Sequence, residues 1–468
     1  MPPVSPSPIP YIRNRLRVPL AVAVGLFALV ALARWGGVAH PGRLFAAGIA
    51  LLSGLILSFG LLAWWLYLSP APALAAPEPA RSVAGRQILG MLALLSGALF
   101  LVGAFWDEVW HRIYGSFGDD FLWPPHMLIY GSLALVALFA GGGLLFMLRG
   151  DGDLRRRFRA EPLIGLLALV SAFLIASIPS DLLWHLIYGL DLTTWSLPHL
   201  MLAGGVALVL LATIALQLSL FPPEPWLGLR GLHGAELLAL LGCAGATTML
   251  LQFGTADWEG LNSVENIALN PSAFWQRPEW LYPVVVVTVA LFCGNLAIHA
   301  LRRAGAATIV ALIVLGFRLA MLAAFRAGRP GIGMGFVPQM LIVPPLLLLD
   351  LWYAMRLRQS EMPATLAGGN LLAGALFLSA GLPLIDRMLI YPRVTAATLP
   401  DMIGMSLLAA LAAGWAGARL GAWLGALDRP ADTPRISPWA GRLAVAALVL
   451  DALLTVLFIL TARPHAAS

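Results

Sequence analysis

Charge is what this chain has least of. Asp, Glu, Lys and Arg make up 11% of its 468 residues, against about 25% in a soluble domain. Lysine is absent, so all 29 basic residues are arginine. With 60% hydrophobic residues and a mean hydropathy of +0.86, the chain holds more apolar side chains than a water-facing surface could hide. That excludes a soluble domain, a disordered chain and a collagen-like one. Cysteine is scarce as well. Cys243 and Cys293 are the only two, each inside an apolar run, which argues against a disulfide framework or a thiolate metal site. What remains is a polytopic integral membrane protein, an all-α helical bundle whose first partner is the lipid bilayer. The net charge of +6 does not point to nucleic acid, because cytoplasmic loops of membrane proteins are normally basic.

About thirteen apolar segments are long enough to cross roughly 30 Å of hydrocarbon as helices. Their approximate limits are 18–35, 44–68, 87–106, 126–148, 162–184, 198–221, 234–254, 281–301, 306–325, 338–355, 365–384, 402–427 and 439–461. Arginine sets the orientation. Arg13, Arg15 and Arg17 precede the first segment, Arg149, Arg155, Arg156, Arg157 and Arg159 follow the fourth, and Arg302, Arg303, Arg356 and Arg358 follow the eighth and tenth. A cytoplasmic N-terminus puts all of these inside a cell (inner) membrane. The alternate loops carry Asp119, Asp120, Asp191, Asp257, Glu259 and Glu265. An alternative reading makes the first segment a signal peptide with a cleavage-like Ala31-Leu32-Ala33. Residues 1–84 read as a transmembrane hairpin and linker, 85–225 as a repeat-bearing segment and 226–468 as further transmembrane helices without an evident role.

The repeat is the most informative feature. Trp106-Asp107-Glu108-Val109-Trp110-His111-Arg112-Ile113-Tyr114-Gly115 is followed by Trp123-Pro124-Pro125-His126. Ser180-Asp181-Leu182-Leu183-Trp184-His185-Leu186-Ile187-Tyr188-Gly189 is followed by Trp195-Ser196-Leu197-Pro198-His199. The first blocks lie 74 residues apart and the second 73, with Asp, Trp, His, Ile, Tyr, Gly, Trp, Pro and His recurring in order. Two duplicated helical hairpins are expected. Pro278-Glu279, Pro338-Gln339 and Pro400-Asp401 also open spans, for which the preference of Pro for a first helical turn is reason enough.

Asp107 and His111, and likewise Asp181 and His185, are four apart, so on a helix each pair shares a face. Each following helix begins with Pro and then His126 or His199. Each hairpin can thus bring one carboxylate and two imidazoles to one membrane depth. That donor set suits Cu(II), Zn(II) or Fe(II) with positions open to water or substrate. A lone His at a helix end is ordinarily an interfacial hydrogen-bonding residue, and Trp110, Trp184, Tyr114, Tyr188, Trp123 and Trp195 serve as an aromatic belt. Two copies that keep all three ionisable residues, which are costly near hydrocarbon, favour a metal. Haem is the chief rival, because His111, His126, His185 and His199 could supply axial imidazoles. Such ligation does not need an Asp one turn before the His, so the repeated Asp favours a bare ion.

At these residues the sequence resembles the C subunit of the copper membrane monooxygenases, the particulate methane and ammonia monooxygenase family. The resemblance covers about residues 87–210. That subunit has two membrane copper sites near the outer face, one using Asp-x-x-x-His with a later His and one using Asn-x-x-x-His with a later His. By position, Asp107, His111 and His126 match the first, and Asp181, His185 and His199 the second. Asp119-Asp120-Phe121 resembles the family's acidic–aromatic approach to its first-site His. The resemblance implies copper, O2, a small apolar substrate reaching the site through the bilayer, and other monooxygenase subunits or a homo-oligomer as partners. The chain departs from that family in having Asp at 181 where the family has Asn, and in about seven further spans after residue 230. The resulting expectation is a copper-dependent membrane monooxygenase or a subunit of one. The alternatives are a metal-handling or transport protein and a haem-bearing electron-transfer protein. In the second half, Asp257, Glu259, Glu265, Asn266 and Glu279 read as a solvated acidic loop. Arg318, Asp350, Asp386, Arg387 and Arg419 read as residues that pair with each other or snorkel.

Overall fold

The computed structural model describes residues 59–68, 83–114, 124–149, 154–188, 194–222, 231–261, 278–328, 339–356, 362–389 and 392–428. The expected first and last spans, and residues 44–58 of the second, lie outside the described residues. Among the described residues the chain is helical and has no β-strand. A π-helical turn at Trp64–Leu68 is followed by α1 (Val83–Tyr114), α2 (Pro124–Arg149), the short α3 (Leu154–Ala160) and α4 (Pro162–Tyr188). Then come α5 (Leu197–Leu218), α6 (Gly234–Leu261), α7 (Leu281–Leu301), α8 (Ala306–Gly328), α9 (Gln339–Arg356), α10 (Met362–Met388) and α11 (Leu399–Ala426). Nine of these helices are long and apolar enough to cross a membrane, and the apolar stretch of α9, Gln339–Met355, is shorter. The protein is therefore a multi-pass, membrane-type helical protein. The spans expected from 87 to 427 each coincide with a helix, and α10 runs through Pro383 without a break.

The described residues fall into two compact units. One takes in 136–205 and the described residues before 81. Its core is Leu66, Met147, Leu154 and Phe158, with Trp65, Tyr67 and Phe146 packed around them. The Tyr67 hydroxyl donates to the Pro162 carbonyl at 3.0 Å, which satisfies a buried polar group at the start of α4. Gly143 lets α2 approach α4, because a Cβ there would come within 2.6 Å of the Ala168 Cβ.

The other unit takes in 82–135 and the described residues from 206 onward. Its central helix is α7, buried from Leu281 to Leu301 with few interruptions. Apolar surface alone cannot hold one helix to another in lipid, so close backbone approach is needed. Gly417, Gly421 and Gly425 of α11 provide it at four-residue spacing. A Cβ at each would fall on the carbonyl oxygens of Phe292, Leu296 and Ala300 of α7. Hydroxyls inside the helices are satisfied locally, as Thr247, Thr248 and Thr255 donate to carbonyls four residues earlier at 2.7–2.8 Å. Cys243 and Cys293 are both buried and free, and the Cys243 thiol donates to the Cys293 carbonyl.

Candidate metal centre

The first repeat lies on α1 and α2. Asp107 stands near the C-terminal end of α1, and His126 is in the first turn of α2, which begins Pro124-Pro125. Proline suits that turn because its missing N–H would be unsatisfied there in any case. Gly103, one turn before Asp107, is where the two helices meet. A Cβ at 103 would lie 2.8 Å from the Pro125 carbonyl oxygen and 2.9 Å from an Ile129 side-chain carbon. The absent side chain lets the start of α2 settle against α1 and brings His126 to Asp107. His126 Nε2 and Asp107 Oδ1 are 3.1 Å apart, with side chains 27% and 23% exposed. The Tyr130 ring, one turn further on, lies 5.9 Å from the His126 ring between centroids.

The helix end that carries Asp107 is held rigidly. Phe105 and Trp106 are fully buried in a cluster with Val102, Met321 and Ala324. Phe317 packs edge-on against Phe105 at 6.3 Å, and the Arg318 guanidinium lies over the Phe105 ring, 4.6 Å from its centroid. That stacked cation is where Arg318, expected to pair or snorkel, is placed.

The second repeat lies on α4 and α5. Asp181 and His199 are both half-buried, and Oδ1 of Asp181 is buried. His199 follows Leu197 and Pro198 in the first turn of α5. Pro179 lies inside α4, two residues before Asp181, and Ser180 donates its hydroxyl to the Ala176 carbonyl at 2.8 Å. His111 and His185 are on the helical stretches of α1 and α4. Their side chains, with those of Trp110, Tyr114, Trp184 and Tyr188, lie outside the described residues, as do Asp119, Asp120, Phe121 and Trp123. Among the described residues no group of three His, Cys, Asp or Glu converges.

The donors at the first repeat fit a metal chemically. Two ligands each about 2.0–2.1 Å from one ion, at right or tetrahedral angles, lie about 2.9–3.3 Å apart. The observed 3.1 Å falls in that range.

The second half holds polar chemistry that periodicity and motif reading pass over. Asn295 of α7 donates through Nδ2 to the Leu291 carbonyl and to Asn370 Oδ1 of α10, both at 2.8 Å. Tyr353 of α9 donates to Asn295 Oδ1 at 3.4 Å, and His299 lies 3.2 Å from the same hydroxyl. All four side chains are buried. Single polar residues in apolar runs were their only sequence signal. The α7–α8 turn is gripped from two other helices. Arg303 donates to both carboxylate oxygens of Glu236 of α6 at 3.0 Å and to the Gly231 carbonyl at 3.1 Å. Glu236 in turn accepts the His233 N–H at 2.9 Å, in the manner of a capping box. Asp350 of α9 accepts the Thr308 N–H and hydroxyl, both at 2.6 Å, and so caps α8. Asp386 is exposed and accepts the Val394 N–H at 3.1 Å. Glu279 is half-buried, and Arg387 and Arg419 are exposed. The side chains of Asp257, Glu259, Glu265 and Asn266 lie outside the described residues.

No protein-family model, no curated protein and no solved structure matches this chain.

Proposed function

We propose that this chain is a copper-binding integral membrane protein whose two repeated hairpins each hold one ion, and that it works as a membrane monooxygenase or a subunit of one. Asp107, His111 and His126 form one ligand set, and Asp181, His185 and His199 the other. The observation that carries the reading is the 3.1 Å approach of His126 Nε2 to Asp107 Oδ1 across α1 and α2, since two of three residues chosen on sequence spacing meet in space. The duplicated hairpin is part of the same proposal, as are about thirteen spans, a cytoplasmic N-terminus and an outward-facing repeat in a cell membrane. Copper bound there supplies a centre that binds and activates O2. The chain's own residues do the rest. The carboxylate offsets cation charge in a medium of low dielectric. The imidazoles leave positions open on the ion, and the buried Phe105 and Trp106 keep the Asp107 end of α1 from shifting.

A second reading, a metal-handling or transport protein, is favoured by the buried Asn295, His299, Tyr353 and Asn370 array, because polar groups inside spans mark transport paths. One preparation separates the readings. The full chain in lipid nanodiscs is assayed for copper, zinc and iron, for a visible spectrum, and for O2 uptake with a reductant and a short alkane. About two coppers per chain are expected from ligand counting, falling to near zero in His111→Ala/His185→Ala, with alkane-dependent O2 uptake. Copper without O2 uptake, together with copper flux into proteoliposomes, establishes the second reading. A Soret band means haem, and metal unchanged in the double variant overturns the assignment.

A further inference from the structure

A cavity in the unit containing residues 136–205 belongs to none of this. Helix α3 reads Leu-Arg-Arg-Arg-Phe-Arg-Ala, and its two apolar residues, Leu154 and Phe158, point inward into the core. Its arginines remain outside that core. Arg155 lies 5.4 Å over the Trp65 ring, and Arg159 donates to the Leu66 carbonyl at 3.0 Å. Arg157 lies 5.3 Å over the Phe146 ring and donates one Nη2–H to the Phe146 carbonyl at 3.3 Å. Its Nε is buried and has no acceptor among the described residues.

Arg157 and Arg149 form one end of a cavity of about 410 Å³ whose remaining lining is Gly142, Leu145 and Phe146 of α2. Beside it, a Cβ at Gly141 or Gly142 would meet nothing within 4 Å. Leu145 is 54% exposed on an apolar membrane-type helix. Two guanidinium groups at the head of a glycine-floored apolar trough have the polarity of a lipid, with an anionic headgroup and then a chain.

We propose that this cavity binds the phosphodiester of an anionic glycerophospholipid, with an acyl chain lying along Gly141–Leu145. Guanidinium groups recognise phosphate oxygens through paired N–H donors, and basic pockets among transmembrane helices take such headgroups. A free phosphate would leave the apolar floor exposed, whereas a lipid covers both ends of the trough.

The test is native mass spectrometry of the detergent-purified full chain titrated with dioleoylphosphatidylglycerol, dioleoylphosphatidylcholine or inorganic phosphate. One phosphatidylglycerol per chain is expected to survive gentle activation, well above phosphatidylcholine. Arg149→Gln, at an exposed position, should weaken it roughly fivefold, as for one lost juxtamembrane arginine, and Arg149→Gln/Arg157→Gln further. Gly142→Trp keeps both charges and fills the trough, and it should also abolish retention. Equal retention of the two lipids, unchanged retention in Arg149→Gln and Gly142→Trp, or displacement of the lipid by millimolar inorganic phosphate would overturn the proposal.

Discussion

The two repeats carry the same ionisable residues on different supports. At the 74-residue offset, Gly103 corresponds to Ser177, Phe105 to Pro179 and Trp106 to Ser180. In the first repeat Asp107 follows a fully buried aromatic pair, and α1 meets the start of α2 at a glycine contact. The second reaches its Asp through a proline within a helix, with Ile178 45% exposed. Ser177 there is buried and donates to the Leu174 carbonyl at 2.6 Å, which occupies its own hydroxyl locally. The donor atoms recur while the packing that aims them does not. On the proposed reading, ligand chemistry tolerates only a few atom types, whereas a helix end can be braced by many side chains.

The comparison breaks most sharply at the proposed ligands. His126→Ala and His199→Ala should each lower bound copper from about two ions per chain to about one, by ligand counting, as read by elemental analysis. If either variant alone removes both ions, the hairpins do not hold separate sites.

Next is the brace of the first hairpin. Phe105→Ala should cost about 3–5 kcal/mol and loosen metal at that hairpin, whereas Pro179→Ala should leave stability within about 1 kcal/mol. Thermal unfolding in detergent and metal retention after dialysis against a mild chelator measure both. Equal costs would remove the contrast between the supports.

Gly103→Ala forces a Cβ toward the Pro125 carbonyl and should cost about 1–3 kcal/mol as overpacking. It should release metal from one site only. Full retention of two ions in a folded variant would show that the Gly103 contact does not position His126.

The carboxylates give a finer test. Asn keeps one acceptor oxygen and loses the charge, so Asp107→Asn should lose more metal than Asp181→Asn, because the resembling family already carries Asn at the second position. Equal loss, or greater loss for Asp181→Asn, would detach these sites from that family. The smallest effect is expected at a position outside both hairpins. Arg302 has φ 55° at the C-cap of α7, so Arg302→Gly should stabilise by about 0.5–1 kcal/mol without touching metal content.

Much of the fold was legible because a span has a composition and a length. Ten apolar runs between 87 and 427 each coincide with a helix, and prolines at 124, 125 and 198 mark where two of them begin. The candidate residues stood out because they recur, and of them Asp107 and His126 lie 3.1 Å apart. Gly103 gave no such signal, since a glycine in an apolar run reads the same whether it faces lipid or a carbonyl. Asn295 and Asn370 are 75 residues apart and Arg303 and Glu236 are 67 apart, and nothing periodic in one sequence links such pairs. Asp350, read as a residue that pairs or snorkels, caps a helix, because an orphan helix N-terminus attracts a carboxylate as a cation does.

The grip on the α7–α8 turn also orders events during biosynthesis. The chain emerges N-terminus first, so Glu236 is already present when Arg303 appears, and that charge meets its partner on arrival. The Thr308 amide does not, since Asp350 follows it by 42 residues. At roughly 5–20 residues per second, that is a wait of about 2–8 s. Throughout it, the start of α8 has no carboxylate to close it. Helix α9 therefore acts as the clasp that completes α8, a start that chain order alone leaves open until α9 has been made.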